Sequence, residues 1–195
     1  MGTAVETPNA TNEVPRKIWT REEAHALVDM GFPNAEHLEL IDGELIDKMG
    51  KKRPHVLWQS RFHEWLFSIF GPGRVESEAP SDVAGEDNRI NEPEADLKVL
   101  RQRSSQYSSN PKAEDILLVI EISDSIVRFD LDQKARLYAR AAYQEYWVVD
   151  IPDERLIVHR DPQNGAYQSV VTHNSHEPVS PLAAPGATVS LDSLK

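Results

Sequence analysis

Cysteine is absent from the 195 residues, which excludes both a disulfide framework and a thiolate zinc site. No stretch approaches the roughly 18 consecutive apolar residues that span a bilayer, and the N-terminus lacks a basic region followed by an apolar core. No membrane partner is expected, and the cytoplasm is the expected compartment. There is no internal repeat and no glycine-rich phosphate loop. Positive charge is also scarce: 21 Lys and Arg face 32 Asp and Glu, for a net charge of -11. That balance works against easy nucleic-acid binding, because affinity for a phosphate backbone comes largely from lysine and arginine releasing counterions. What is present, 39% hydrophobic and 27% charged residues, is ordinary for one soluble domain with a full core.

The most informative stretch runs from Ile116 to Asp150. Ile116-Leu117-Leu118-Val119-Ile120-Glu121-Ile122 is apolar except at one position, as a strand covered on both faces reads. Glu121 therefore stands where an ionised carboxylate is costly unless a cation or hydrogen bonds meet it. Asp130-Leu131-Asp132-Gln133-Lys134 then opens a helix, with Asp130 expected as N-cap and Gln133 closing a capping box. Leu131, Ala135, Tyr138 and Ala142 recur at helical spacing, so one face packs on the sheet. Lys134 lies on the edge of that face, where its amine can point at the sheet.

Upstream, Asn91-Glu92-Pro93-Glu94-Ala95-Asp96 leads into Leu97-Lys98-Val99-Leu100, and the proline suits the start of a strand rather than its middle. Asp96 stands at the head of that strand. Two carboxylates on neighbouring strands with a lysine from a helix are what metal-dependent hydrolysis of a phosphodiester requires. The carboxylates are hard oxygen ligands for magnesium, and the lysine positions water or neutralises developing charge.

At these residues the chain resembles the PD-(D/E)XK nuclease superfamily and, more closely, the bacterial Uma-two family of restriction-endonuclease-like proteins. The resemblance runs from about Glu39 to the C-terminus, through Leu38-Glu39-Leu40-Ile41-Asp42-Gly43-Glu44-Leu45, Pro93-Glu94-Ala95-Asp96-Leu97 and Leu118 to Ser125. Its most specific part is Asp130 to Lys134, then Leu137 to Ala141 and Glu145 to Asp150. It implies an α/β fold with a restriction-endonuclease-like core, a mixed central β-sheet flanked by helices. It implies DNA as substrate, Mg2+ or Mn2+ as cofactor bound by Asp96 and Glu121, and Lys134 as the catalytic lysine. Two departures stand out. Glu121-Ile122-Ser123 has no lysine where the superfamily motif places one, so Lys134 substitutes from the helix. Ala95 precedes Asp96 where the motif has proline. Glu44 resembles the family's additional acidic residue, while Gln133 and Tyr138 stand beside the site as supports. A homodimer is expected, since two-fold symmetry supplies a site for each strand of a duplex.

Elsewhere, residues 1–16 read as a disordered tail and 17–195 as one domain. Thr20 and Glu23 form a capping box for a helix reaching Met30. Asp42-Gly43 turns a hairpin between Leu38 and Ile46. Val56, Trp58, Phe62, Trp65, Leu66, Ile69 and Phe70 stripe a helix that ends at Gly71. His55 and His63 are eight apart, not the three or four that aim two imidazoles at one metal, and neither reads as a zinc ligand. Val75 to Val83 is expected as a strand, residues 101–113 as a surface loop, and Leu156–Arg160 with Tyr167–Thr172 as a hairpin. The tail should pack through Leu182, Val189, Leu191 and Leu194. Basic residues at Lys48, Lys51, Lys52, Arg53, Arg101 and Arg103 are candidates for the rim of a DNA cleft. The same residues also suit two rivals: a non-catalytic binding or regulatory protein, and a metal-dependent phosphodiesterase acting on RNA or nucleotides.

Overall fold

The structure, a computed structural model, describes residues 15–48 and 50–195. The tail expected over residues 1–16 lies outside these except for Pro15 and Arg16, and Arg16 reaches across to Glu44.

Six strands form the main sheet in the order β3-β4-β5-β6-β7-β8: β3 Val75–Glu76, β4 Leu97–Leu100, β5 Ile116–Ser123, β6 Glu145–Asp150, β7 Arg155–Gln163 and β8 Ala166–Asn174. Neighbours are antiparallel except β5 and β6. The parallel pair requires a crossover, and helical residues 127–140 supply it. The sheet is therefore mixed, as expected. A separate hairpin, β1 Leu38–Ile41 and β2 Glu44–Asp47, turns at Asp42-Gly43, where both residues take positive φ, as a primed hairpin turn demands. Among the described residues no helix is long and apolar enough to cross a membrane.

Each face of the sheet is covered. Helix α2, Arg53–Phe70, lays Trp58, Phe62 and Leu66 on Leu97, Val99, Leu118, Ile120, Trp147 and Val149. On the opposite face, Ala135, Leu137 and Tyr138 of the crossover helix pack on Val119, Tyr146 and Val148. This alternation along β5 explains why its sequence is apolar throughout, and it puts Glu121 on the crossover-helix side. Helix α1, Arg21–Asp29, begins with the expected Thr20–Glu23 capping box.

The structure corrects four expectations. The strand forecast over Val75–Val83 lasts two residues: Glu78 adopts φ 51° and Pro80 follows. The segment is held instead by Lys98, buried on β4, whose ammonium donates to the carbonyls of Ala79 and Pro80 and to Ser81 Oγ. Val56 is exposed, outside the stripe of α2. In the tail Val189 and Leu191 are buried and Leu194 packs partly on the core, but Leu182 is exposed while its N–H donates to Glu145 Oε2. Finally, Asp130 is not an N-cap. Helix α3, Val127–Phe129, precedes it, a π-helical turn spans Asp130–Lys134, and α4, Ala135–Arg140, continues. The helix starts four residues early, with Ile126, at φ -120°, as its non-helical N-cap.

Candidate active site

The pairing register builds the site. Leu97 lies opposite Ile120, so the next residues outward, Asp96 and Glu121, face each other at the open end of β4 and β5. The Asp96 N–H donates to Glu121 Oε2 at 3.3 Å, and Asp96 Oδ2 accepts from the Ile122 N–H at 2.8 Å. Lys134 reaches in from the π-helical turn. That turn spends one more residue per revolution than an α-helix, and both Asp130 and Lys134 within it are buried. Lys134 Nζ stands 2.8 Å from Glu121 Oε1 and 3.0 Å from Glu39 Oε2. Tyr138, one turn on, donates its hydroxyl to Glu121 Oε1 at 3.1 Å.

Of the four residues forecast as catalytic, the fold brings Asp96, Glu121 and Lys134 together and leaves Glu44 apart. Glu44 starts β2 opposite Ile41, half exposed and paired with Arg16 at 3.1 Å. The carboxylate that does enter the site is Glu39, buried on β1, whose second oxygen accepts the Glu94 N–H at 2.8 Å. Position along the hairpin explains the exchange: Glu44 stands beside the Asp42-Gly43 turn opposite Ile41, whereas Glu39 lies farther from the turn, opposite Ile46. Among the described residues Gln133 makes no side-chain hydrogen bond to the cluster.

Sequence reasoning named Lys51 only for the cleft rim and set His55 aside as a zinc ligand, and missed that both meet Asp96. His55 Nε2 is 3.1 Å and Lys51 Nζ 2.7 Å from Asp96 Oδ1, and Lys51 also pairs with Glu78 at 2.8 Å. His55 carried a readable signal, because it stands on the same stripe as Trp58, Phe62 and Leu66. Glu39 carried one too, as a carboxylate in an otherwise apolar strand, the pattern that singled out Glu121. Lys51 has no such signature.

These surroundings split the acids. Burial pushes Asp96 up, but hydrogen bonds and charge from His55 and Lys51 outweigh it and hold the carboxyl at about 2. Burial also pushes Glu121 up, and there Lys134 is outweighed because Asp96, Asp130 and Glu39 add repulsion, leaving it at about 8. Asp130 is raised by burial to about 6, against the pull of Lys134. Lys134 itself is held well above its ordinary value: burial opposes its charge, and Glu121, Glu39 and Asp130 more than compensate. Three carboxylates, Glu39, Glu121 and Asp130, thus share one buried ammonium, while His55 and Lys51 serve Asp96.

A cleft of about 670 Å³ opens onto these groups, lined also by Lys48, Lys52 and Phe129. Arg101 and Arg103 lie elsewhere. They follow the far end of β4, about 13 Å from Asp96 at ~3.3 Å per residue, and Arg101 lines a different cavity with Asp82 and Lys112.

Does this donor set suit magnesium? Among the described residues no group of three or more His, Asp or Glu side chains is arranged to hold a metal ion. Magnesium, however, is commonly held by one or two carboxylates, with water and phosphate oxygens completing its shell. Asp96 and Glu121 are hard oxygen donors facing each other across a strand pair, in a pocket with more carboxylate than cation. The residues fit.

Comparisons with known proteins agree with the fold. The chain resembles a crystal structure described as "a putative nuclease belonging to DUF820 from Anabaena variabilis ATCC 29413", with a TM-score of 0.65 and 19% identity over 85% of this chain and 94% of that one. At that identity the likeness speaks for the fold alone. No curated protein sequence matches. The model of the Uma2 family, described as "Putative restriction endonuclease", matches residues 21–192. With nearly its whole length covered by that match, the chain belongs to the Uma2 family.

Proposed function

We propose that the protein is a magnesium-dependent endonuclease that hydrolyses phosphodiester bonds in DNA. The observation that carries this reading is the buried Lys134, 2.8 Å from Glu121 and 3.0 Å from Glu39, with Asp96 facing Glu121 across one pair of strands. Asp96 and Glu121 would hold the metal, with manganese as a substitute. When bound, the metal polarises the scissile phosphate and makes a coordinated water more acidic.

The chain's own groups do the rest. Lys134 Nζ donates toward the attacking water or the phosphate oxygen on which charge develops, a role worth most in a water-poor site. Glu39 and Tyr138 fix that ammonium and the Glu121 carboxylate so that neither must reorganise during reaction. His55 and Lys51 keep Asp96 ionised. Lys48, Lys51 and Lys52 on the cleft wall meet the sugar-phosphate backbone. Since Lys48 and Lys51 are already paired with Glu94, Glu78 and Asp96, and the whole chain carries -11, binding should be modest, with a shallow salt dependence because few phosphates are neutralised. A cytoplasmic homodimer that cuts both strands is the corresponding form in solution.

The deciding experiment incubates purified protein with supercoiled plasmid, duplex and single-stranded DNA, and RNA, with magnesium, manganese or EDTA, beside Glu121→Ala and Lys134→Ala. Metal-dependent DNA cutting lost in both variants is expected. Cleavage of RNA alone would move the activity to another phosphodiester. No cleavage of any substrate, with no magnesium bound by calorimetry, would leave a binding protein on this fold, the reading that the acidic charge favours.

A further inference from the structure

The two edges of the main sheet are treated differently. At one end β3 is two residues long, and the loop after β4 covers it: Ser104 bonds Glu76 and its N–H donates to the Gly73 carbonyl. At the other end β8 runs nine residues, Ala166–Asn174. Among the described residues, no backbone hydrogen bond joins residues 166–173 to any segment other than β7. Its outward row of N–H and C=O groups is open.

Soluble proteins blunt such an edge with lysine, proline, bulges or inward charges. Ala166-Tyr167-Gln168-Ser169-Val170-Val171-Thr172-His173-Asn174 has no Asp, Glu, Lys, Arg, Pro or Gly, although 27% of the whole chain is charged. At its centre Val170 and Val171 are 53% and 48% exposed, and adjacent strand residues point to opposite faces, so each face of the sheet shows an uncovered valine at this edge. The feature is a strand-shaped, uncharged vacancy on an acidic molecule.

We propose that β8 pairs antiparallel with β8 of a second copy about a two-fold axis through Val170, joining two six-stranded sheets into one. Three observations select a second copy as occupant. The strand is self-complementary in this register: Val170 meets Val170, Ser169 meets Val171, Gln168 meets Thr172 and Tyr167 meets His173, so apolar lies with apolar or small polar, and no charge meets its like. Each copy carries -11, and repulsion between copies falls least on the one long edge that contributes no carboxylate. Finally, each copy brings the length of open backbone that the other lacks, which an isologous interface requires.

The cysteine-free sequence makes the test direct. Single cysteines are placed at residues 168, 170 and 172 of the full chain, and each protein is oxidised and its mass determined by sedimentation. Directly opposed residues in an antiparallel pair have Cα atoms about 4.5–5.5 Å apart, within the roughly 4.4–6.8 Å that a disulfide spans. Only Val170→Cys should therefore cross-link to itself. The wild type should sediment at twice the 22.0 kDa of one chain, and Val170→Lys at that single mass with an unchanged circular dichroism spectrum. A wild type that stays monomeric at its highest soluble concentration would overturn the proposal. So would a dimer that survives Val170→Lys, or cross-linking at 168 or 172 in place of 170.

Discussion

Replacing Lys134 by methionine keeps the length and much of the volume of the side chain while removing the one cation buried among Glu39, Glu121 and Asp130. Taking one partner from a buried ion pair costs about 3–5 kcal/mol. For a domain of this size ~1 kcal/mol moves the melting point by about 2–4 °C, so metal-free Lys134→Met should melt roughly 6–20 °C below wild type near pH 8. The pH dependence distinguishes lost charge compensation from lost packing. Glu121 at about 8 and Asp130 at about 6 lie above their unfolded values. Groups raised in the folded state contribute stability that is fully present below the unfolded pKa and is lost as pH rises through the folded one. Without Lys134 both carboxyls rise further, so the deficit of the variant should shrink as pH falls toward 5, where the folded protein can hold these acids neutral. Asp96 does not confound this window: its depressed pKa contributes stability lost only as pH falls through about 2. Calorimetric melting of both proteins from pH 5 to 9 tests the argument. A deficit that is constant across that range, or absent at pH 8, would refute it.

Further outcomes follow from the same geometry. Glu121→Gln should abolish magnesium-dependent cutting and the rise in melting temperature on adding magnesium, yet stabilise the metal-free protein above pH 8, where wild type holds an unfavourable charge; differential scanning calorimetry with and without magnesium reads both. Glu39→Gln should lower the cleavage rate about 10- to 100-fold, as loss of an outer support of a metal site does, whereas Glu44→Gln should leave it within a factor of two, about 0.4 kcal/mol; equal effects of the two would displace Glu39 from the site. Leu66→Ala, at a fully buried position, should cost about 2–5 kcal/mol by urea denaturation with the cleavage rate of the folded fraction unchanged.

The central strand, the Asp42-Gly43 hairpin and the capping box at Thr20 were all legible, because each depends on local rules: apolar runs, positive φ and reciprocal hydrogen bonds. Glu121 was legible as a carboxylate in an apolar strand, whereas Asp96 stood out only through the family resemblance and Lys134 through its place after Glu121. What was hidden depends on long-range geometry. The π-helical turn has no distinctive composition, so periodicity placed an N-cap at Asp130 where the chain was already helical. The preference for Glu44 over Glu39 came from family likeness, and position along the hairpin decided otherwise. His55 was tested only for zinc spacing, and its partner, Asp96, is 41 residues away. Lys98 shows the same limit, since the residues it holds where the expected strand stops, Ala79, Pro80 and Ser81, lie 17 to 19 positions away in the chain.

The lysine and the two strand carboxylates arrive from different layers of the molecule, one from a helix that rests on the sheet through Tyr138, Tyr143 and Tyr146 and the others from the sheet itself. On the proposed mechanism, registration between layers is therefore part of the chemistry. A local opening that lifts the residues 127–140 off the strands would separate ammonium from carboxylates while the β-structure stayed intact, and such sub-global openings cost less than unfolding the whole domain. Drawing the lysine from the helix thus makes the competence of the proposed site a property of one tyrosine-lined seam, and amide exchange along 127–140 would report how often that seam parts.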